Sequence, residues 1–258
     1  MDLKSRIKAL VPNKLQYLLY KAYYIFVELR SLFYRGNRFT CPFCNQQFRE
    51  FLSVKPGVYF LANEQCPKCD SWKRHRVMWL YLKNQTNLFS DRLKVLHIAP
   101  EYCFQRNFKN MLNLNYVSAD LLSPLASTKM DITNIPYADN SFDVILCSHV
   151  LEHIPDDRKA MNELLRVLKA TGWAILQVPI DRKRNKTFED PTITSPKERE
   201  RLFWQHDHVR LYGRDYKDRL EEVGFAVKVK NFVKELESDA IEQYGLDEQE
   251  EIYFCTKK

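Results

Sequence analysis

Glycine is scarce in this chain. There are six in 258 residues, against a usual share of about 7%, and none lies between Gly57 and Gly172. A Walker-type loop or a G-x-G-x-x-G dinucleotide turn needs several glycines, because the backbone must approach phosphate closely. P-loop nucleotide hydrolysis and nicotinamide-dependent dehydrogenation therefore lose their usual support where the first half of a nucleotide fold would lie. Long apolar runs are missing too. Lys14, Lys21 and Glu28 interrupt the apolar stretch near the N-terminus, and no span reaches the ~20 residues a bilayer requires. With no secretory pattern at the start, seven cysteines point to a reducing compartment. The sequence predicts a cytoplasmic protein, at most peripheral to the inner face of a membrane.

Charge is modest overall and uneven along the chain. Forty Lys and Arg against 33 Asp and Glu give +7. Residues 1–40 carry eight basic residues, two acids and eight aromatics, whereas residues 234–251 carry eight acids and one lysine. This excludes a chain-wide nucleic-acid glove and favours one local basic contact surface. Leu15, Leu18, Leu19, Ala22, Phe26 and Leu29 recur at helical spacing over 13–34, and Gly36 ends the pattern. The apolar stripe fits a helix packed on the domain. The interleaved aromatic and basic residues also fit an interfacial helix, with residues 1–36 touching an anionic membrane.

The rest of the chain divides by pattern. We expect a basic, aromatic-rich helical arm over 1–38, a small cysteine module plus connecting helix over 39–90, and an α/β domain over 91–258. The connecting helix is read at 71–89 with Ser71 as its N-cap. From Leu93 the pattern alternates: strands at 93–98, 115–120, 142–148 and 172–180, a short strand ending at Asp131, and helices at 101–112, 156–170 and about 214–223. Strands at 225–232 and 251–257 close the chain, and 181–201 is a charged segment without periodicity. FDVILCS (142–148) is a near-continuous apolar run of the kind buried in parallel sheets. Such alternation implies a mostly parallel sheet with helices on both faces.

Two constellations carry chemistry. CPFC (41–44) and CPKC (66–69) are paired knuckles. Each presents two thiolates from a tight turn, and four soft ligands suit tetrahedral zinc. Cys41, Cys44, Cys66 and Cys69 leave no position for water, so this zinc is expected to be structural and to supply the module's folding energy. Cys103, Cys147 and Cys255 read as small buried hydrophobes.

The second constellation runs from Val95 to Ile154. Asp120 ends the second strand and Asp131 the third; then come IPYADNSFDVILCSHVLEHIPDD (135–157) and RVLKATGWAILQVP (166–179). On these residues the chain resembles a class I S-adenosylmethionine-dependent methyltransferase of the type 11 group. The likeness is strongest to bacterial members with an N-terminal zinc ribbon and a late Q-H-D-H-V-R-x-Y-G run, here Gln205 to Gly213. It implies a Rossmann-like sheet of seven strands, mostly parallel with the last antiparallel, and S-adenosylmethionine at the carboxyl ends of the early strands. Asp120 would accept both ribose hydroxyls. Asp131, with Ile132, would lie at the adenine, and Ser148 and His149 beside the transferable methyl. The first loop departs from the family pattern: where V-L-[DE]-x-G-x-G is usual, the chain reads Val95-Leu96-His97-Ile98-Ala99-Pro100-Glu101. The acid becomes His97 and the glycines Ala99 and Glu101. The cofactor carries no phosphate, and Glu101 is suited to its amino group or sulfonium.

Histidines supply the candidate bases. His149-Val150-Leu151-Glu152-His153 matches the H-x-x-E-H string of inverted zinc peptidases, but it follows a buried strand within a methyltransferase pattern. His206-Asp207-His208 offers a base beside a carboxylate. The resulting expectation is methyl transfer to an oxygen or nitrogen acceptor, with a small molecule, a saccharide or a lipid-linked glycan favoured and His149, His206 or His208 as base. The rival acceptor is RNA, gripped by Lys68, Lys73, Arg74 and Arg76 with Phe43, Phe48 and Trp72 as stacking faces. A second rival is a non-catalytic zinc-ribbon adaptor that has lost the cofactor.

Overall fold

A computed structural model describes residues 13–57 and 59–258. Helix α1 (Asn13–Arg30) and a 3-10 turn (Ser31–Tyr34) lead into two antiparallel ribbons. The first pairs β1 (Arg35–Thr40) with β2 (Gln47–Phe48); the second pairs β3 (Leu52–Val54) with β4 (Leu61–Gln65). Helix α2 (Lys73–Gln85) then connects to a sheet of β5 (Leu93–Ile98), β6 (Leu114–Asp120), β7 (Thr128–Lys129), β8 (Phe142–Ser148), β9 (Leu168–Gln177), β12 (Phe225–Lys230) and β13 (Ile252–Lys257). Between these lie α3 (Tyr102–Phe108), α4 (Asp157–Val167), α5 (Pro196–Phe203), α6 (Tyr216–Val223), α7 (Ser238–Tyr244) and the short pair β10 (Phe188–Glu189) and β11 (Arg210–Leu211).

The sheet order is β12-β13-β9-β8-β5-β6-β7. All neighbours are parallel except β13, which runs antiparallel to both β9 and β12. Alternation along each central strand feeds two cores. Val95, Val144, Leu146 and Ile175 point to one side; Leu96, Ile145, Cys147, Ala174 and Leu176 point to the other, against α4 and α6. On the first side the cysteine module joins the same core. Phe43, Phe48 and Phe51 pack with Val77 and Leu82 of α2 and Phe104 and Phe108 of α3. Arg76 is fully buried and donates to the carbonyls of Glu64, Ser71, Tyr244 and Gly245, tying the module to the C-terminal turn.

Several local expectations change. Ser71 does not cap α2: Trp72 occupies that place, and its N–H donates to His75 Nδ1 at 3.1 Å. Leu168, inside the helix expected over 156–170, begins β9 instead. Asp131 lies beyond β7, in a bridge with Asn134. The arm docks by a different face from the leucine stripe. Tyr20 and Val27 are buried, while Leu15, Leu18, Leu19, Phe26 and Leu29 are exposed. Arg30 reaches Asp70 and the Pro67 carbonyl, and Tyr23 donates to Asp70. These polar anchors turn the aromatic side of α1 inward. Residues 1–12 of the expected arm lie outside the described residues.

Candidate functional site

The carboxyl ends of β5, β6 and β8 converge, as open α/β sheets require of a ligand site. At the end of β5, Ala99 holds φ +46°, the left-handed conformation usually left to glycine, and its N–H bonds to the Ala119 carbonyl at 2.7 Å. The loop therefore keeps a glycine-like turn without the glycine. Glu101 caps α3 and reaches back to His97. Tyr116 O–H donates to His97 Nδ1 at 2.9 Å, which leaves Nε2–H to donate to Glu101 Oε2 at 3.0 Å. His75 Nε2 lies 3.5 Å from the other Glu101 oxygen. Burial opposes ionisation of Glu101, but the His97 hydrogen bond and the neighbouring imidazoles outweigh it and hold the carboxyl at about 2. A carboxylate therefore stands at this loop four residues after His97.

At the end of β6, Asp120 Oδ1 accepts the N–H groups of Leu122 and Ser123, each at 2.7 Å. The turn fixes the carboxylate, and Oδ2 is not used by it. Asp131 is exposed and closes a similar turn onto Thr133, whose backbone and hydroxyl donors hold its carboxyl below the usual range; Ile132 behind it is buried. After β8, Ser148 is buried and His149 takes φ +54°, with its N–H on the Gln177 carbonyl at 2.8 Å. Burial and the charge of Arg74 press the His149 imidazole below its ordinary value, so it is neutral at pH 7. Of the expected residues, Ala99, Glu101, Asp120, Ser148 and His149 sit at these three strand ends, whereas Asp131 and Ile132 lie in the turn beyond β7.

The H-D-H run assembles differently from its order in sequence. His208 is buried and its Nδ1–H donates to the Phe203 carbonyl at 2.8 Å, so it does not pair with Asp207. Asp207 instead lies 3.5 Å from His153 and 3.9 Å from His206. The remainder of the run is scaffolding. Arg210, buried, donates to the carbonyls of Leu151, Ile154 and Pro155 and pairs with Glu189. Tyr212 donates to Asp157 at 2.7 Å. A side chain at Gly213 would meet the Lys186 carbonyl carbon at 2.6 Å. Together these clamp the 205–213 loop against the loop after β8.

Three residues outside the expected cofactor set approach from outside the sheet, one of them, Arg74, expected only as an RNA contact. Arg74 and His75 come from the start of α2; the Nε of Arg74 is buried without a hydrogen-bond partner, and its guanidinium stacks on Trp72 at 4.5 Å. Glu250 comes from the turn before β13, and Gln177 Nε2 lies 3.5 Å from its Oε1. Burial pushes the Glu250 carboxyl up to about 7, against a lowering pull from Arg74. No spacing rule links these positions; only packing brings them together.

The four knuckle cysteines form a separate cluster, with one Sγ from each within 4.8 Å of the rest. Cys41–Cys69 and Cys44–Cys66 are 3.5 and 3.8 Å apart, close to the ~3.8 Å edge of a tetrahedron with Zn–S bonds of ~2.3 Å. The buried Ser71 hydroxyl lies 3.3 Å from Cys41 Sγ. Burial opposes ionisation of Cys41, but hydrogen bonds from the other three thiols and Ser71 outweigh it and hold its thiol well below the usual range. The donor set fits zinc.

Comparison with known proteins bears on the sheet half of the molecule. Residues 101–176 match the family model described as a methyltransferase domain. That segment runs from the first-loop carboxylate into β9. A stretch of 48 residues is 46% identical to an uncharacterized methyltransferase of Mycobacterium sp. strain KMS, covering 19% of each protein. Another of 46 residues is 46% identical to a demethylmenaquinone methyltransferase of Paenarthrobacter aurescens, covering 18% of each. The chain thus matches about a fifth of the length of these curated relatives. Among solved structures, YcgJ of Bacillus subtilis is similar over 71% of this chain and 95% of its own, at 18% identity and a TM-score of 0.42.

Among the described residues no helix is long and apolar enough to cross a membrane.

Proposed function

We propose that the chain is an S-adenosylmethionine-dependent methyltransferase acting on a hydroxyl-bearing acceptor, with a saccharide or lipid-linked glycan preferred. The carrying observation is the juxtaposition of Asp120 and Glu101 at adjacent strand ends, inside the segment that matches a methyltransferase domain. Asp120 would take the ribose hydroxyls, Asp131 and Ile132 the adenine, and Glu101 the cationic amino acid end, with Arg74 available to its carboxylate. When bound, the cofactor supplies an activated methyl group, so the protein's task is alignment and proton removal. His149, neutral beside the end of β8, is suited to take a proton from a hydroxyl.

The same reading assigns a structural zinc to Cys41, Cys44, Cys66 and Cys69. An RNA acceptor is disfavoured by the fate of its expected contacts: Arg76, Phe43 and Phe48 are buried in the core. The exposed Leu18, Phe26, Leu29 and Phe33 on the arm favour a membrane-borne acceptor.

The test is calorimetric titration of S-adenosylmethionine into the full chain, followed by a labelled-methyl screen of saccharide and lipid-linked acceptors. Saturable one-to-one binding at micromolar cofactor is expected. Absence of binding at millimolar cofactor replaces the enzyme by the adaptor reading.

A further inference from the structure

Glu152 is a buried carboxylate without a cation. It is 1% exposed, and neither oxygen accepts a hydrogen bond. His149 Nδ1 stands 3.3 Å from Oε1 but out of line. A bare carboxylate in such a place costs several kcal/mol unless something positive faces it.

What faces it is a pair of imidazoles. One ligand atom each of Glu152, His153 and His208 lie within 4.8 Å of one another. The two rings meet edge to face, 4.7 Å apart. His208 gives its Nδ1–H to the Phe203 carbonyl, so its Nε2 is an acceptor. An acceptor nitrogen beside a carboxylate is an unfavourable pair in a dry site, and a metal ion between them removes the conflict. The supporting contacts are those of a ligand shell. Metal-binding histidines usually give their second N–H to a carbonyl or carboxylate. Here His208 has Phe203, and His153 Nδ1 has Asp207 at 3.5 Å. Both loops are immobilised: the Val209 N–H bonds to the Glu152 carbonyl at 2.9 Å, and Arg210 grips Leu151, Ile154 and Pro155.

We infer that Glu152, His153 and His208 form a second metal site, distinct from the cysteine cluster, that takes a divalent ion of the zinc class. Two imidazole nitrogens and one carboxylate suit Zn2+ and leave one tetrahedral position for an exchangeable oxygen ligand. On the methyl-transfer reading proposed above, and only on it, that position receives an oxygen of the acceptor.

The experiment reads metal content, which does not depend on cofactor binding or turnover. Full-length protein is saturated with Zn2+, desalted, and its zinc per chain measured by mass spectrometry, alongside E152Q, H153Q and H208Q. Wild type should retain one equivalent more than each variant, with Zn2+ affinity in the variants falling by more than the ~10–100-fold typical of outer-shell changes. His153 is about a third exposed, so H153Q keeps the fold, and circular dichroism checks the other two. Equal zinc content in wild type and H153Q overturns the site, whatever the cofactor titration gives.

Discussion

Exchange of Asp120 for Asn separates the cofactor contact from the turn that holds it. Oδ1 already accepts two backbone N–H groups at 2.7 Å, and an Asn side-chain oxygen can keep both. Oδ2, the atom assigned to ribose, becomes an NH2 group that cannot accept from a hydroxyl. A charge-assisted hydrogen bond is worth ~1.5–3 kcal/mol, so D120N should bind S-adenosylmethionine about 10–150-fold more weakly than wild type. D120A loses the turn as well, and its melting temperature should fall while that of D120N stays near wild type. Calorimetry of both variants with S-adenosylmethionine and S-adenosylhomocysteine, beside thermal melts, gives the comparison. If D120N binds within twofold of wild type, the ribose assignment is wrong. If its affinity falls only in step with its melting temperature, the carboxylate is structural.

The zinc module and the acidic turn offer further measurements. C44S should lose one equivalent of zinc; forfeiting ~3–5 kcal/mol of the ~10–16 kcal/mol that a structural zinc supplies would lower Tm by about 10 °C, and unchanged metal content would remove the assignment. Glu250 has a folded pKa of about 7, raised above the ordinary carboxyl value. The folded state therefore binds the proton more tightly, and stability should fall as pH rises from about 4.5 to 7, by up to roughly 3 kcal/mol. E250Q should flatten that slope in urea titrations between pH 5 and 8; parallel slopes refute it. Replacing the exposed Leu18, Phe26 and Leu29 by Ser should abolish co-sedimentation with anionic vesicles, and salt should weaken wild-type binding, since each basic residue near such a surface contributes ~1 kcal/mol. Equal partitioning of both proteins returns the arm to a packing role.

The sheet was legible because its strands are extreme. FDVILCS is β8 without a residue to spare, and Asp120 marks the end of β6, whereas Asp131 falls two residues past the end of β7. The arm was legible as a helix but not in its orientation. A leucine stripe states that one face is apolar, not which face docks, and here Arg30 and Tyr23 decide through Asp70. The histidine cluster was half visible. H-x-x-E-H stands in the sequence, but its third partner, His208, belongs to another loop, and the Phe203 carbonyl sets that ring's orientation. Arg74 was expected only as an RNA contact, and Glu250 carries no motif at all. Their part depends on how α2 and the turn before β13 close over the strand ends.

The glycine-free first loop is where an enzyme and a lapsed adaptor part company, and Ala99 is the residue on which to test them. A left-handed conformation at a non-glycine residue costs ~1–2 kcal/mol, and chains keep such strain only where the surroundings demand it. Here the demand is visible: the Ala99 N–H closes on Ala119, and the turn it makes brings Glu101 back onto His97. A loop released from cofactor binding would have no reason to hold a carboxylate ionised at this edge. A99G should therefore relieve the strain at the cost of ~0.5–1 kcal/mol of extra chain entropy, for a net gain in stability of up to about 1 kcal/mol, with cofactor affinity equal to or better than wild type. Chemical denaturation and calorimetry on the same preparation measure both quantities. A99G that is destabilised by more than ~1 kcal/mol would show that the methyl group of Ala99 is packed rather than tolerated, and the loop would then be a structural turn with no claim on the cofactor.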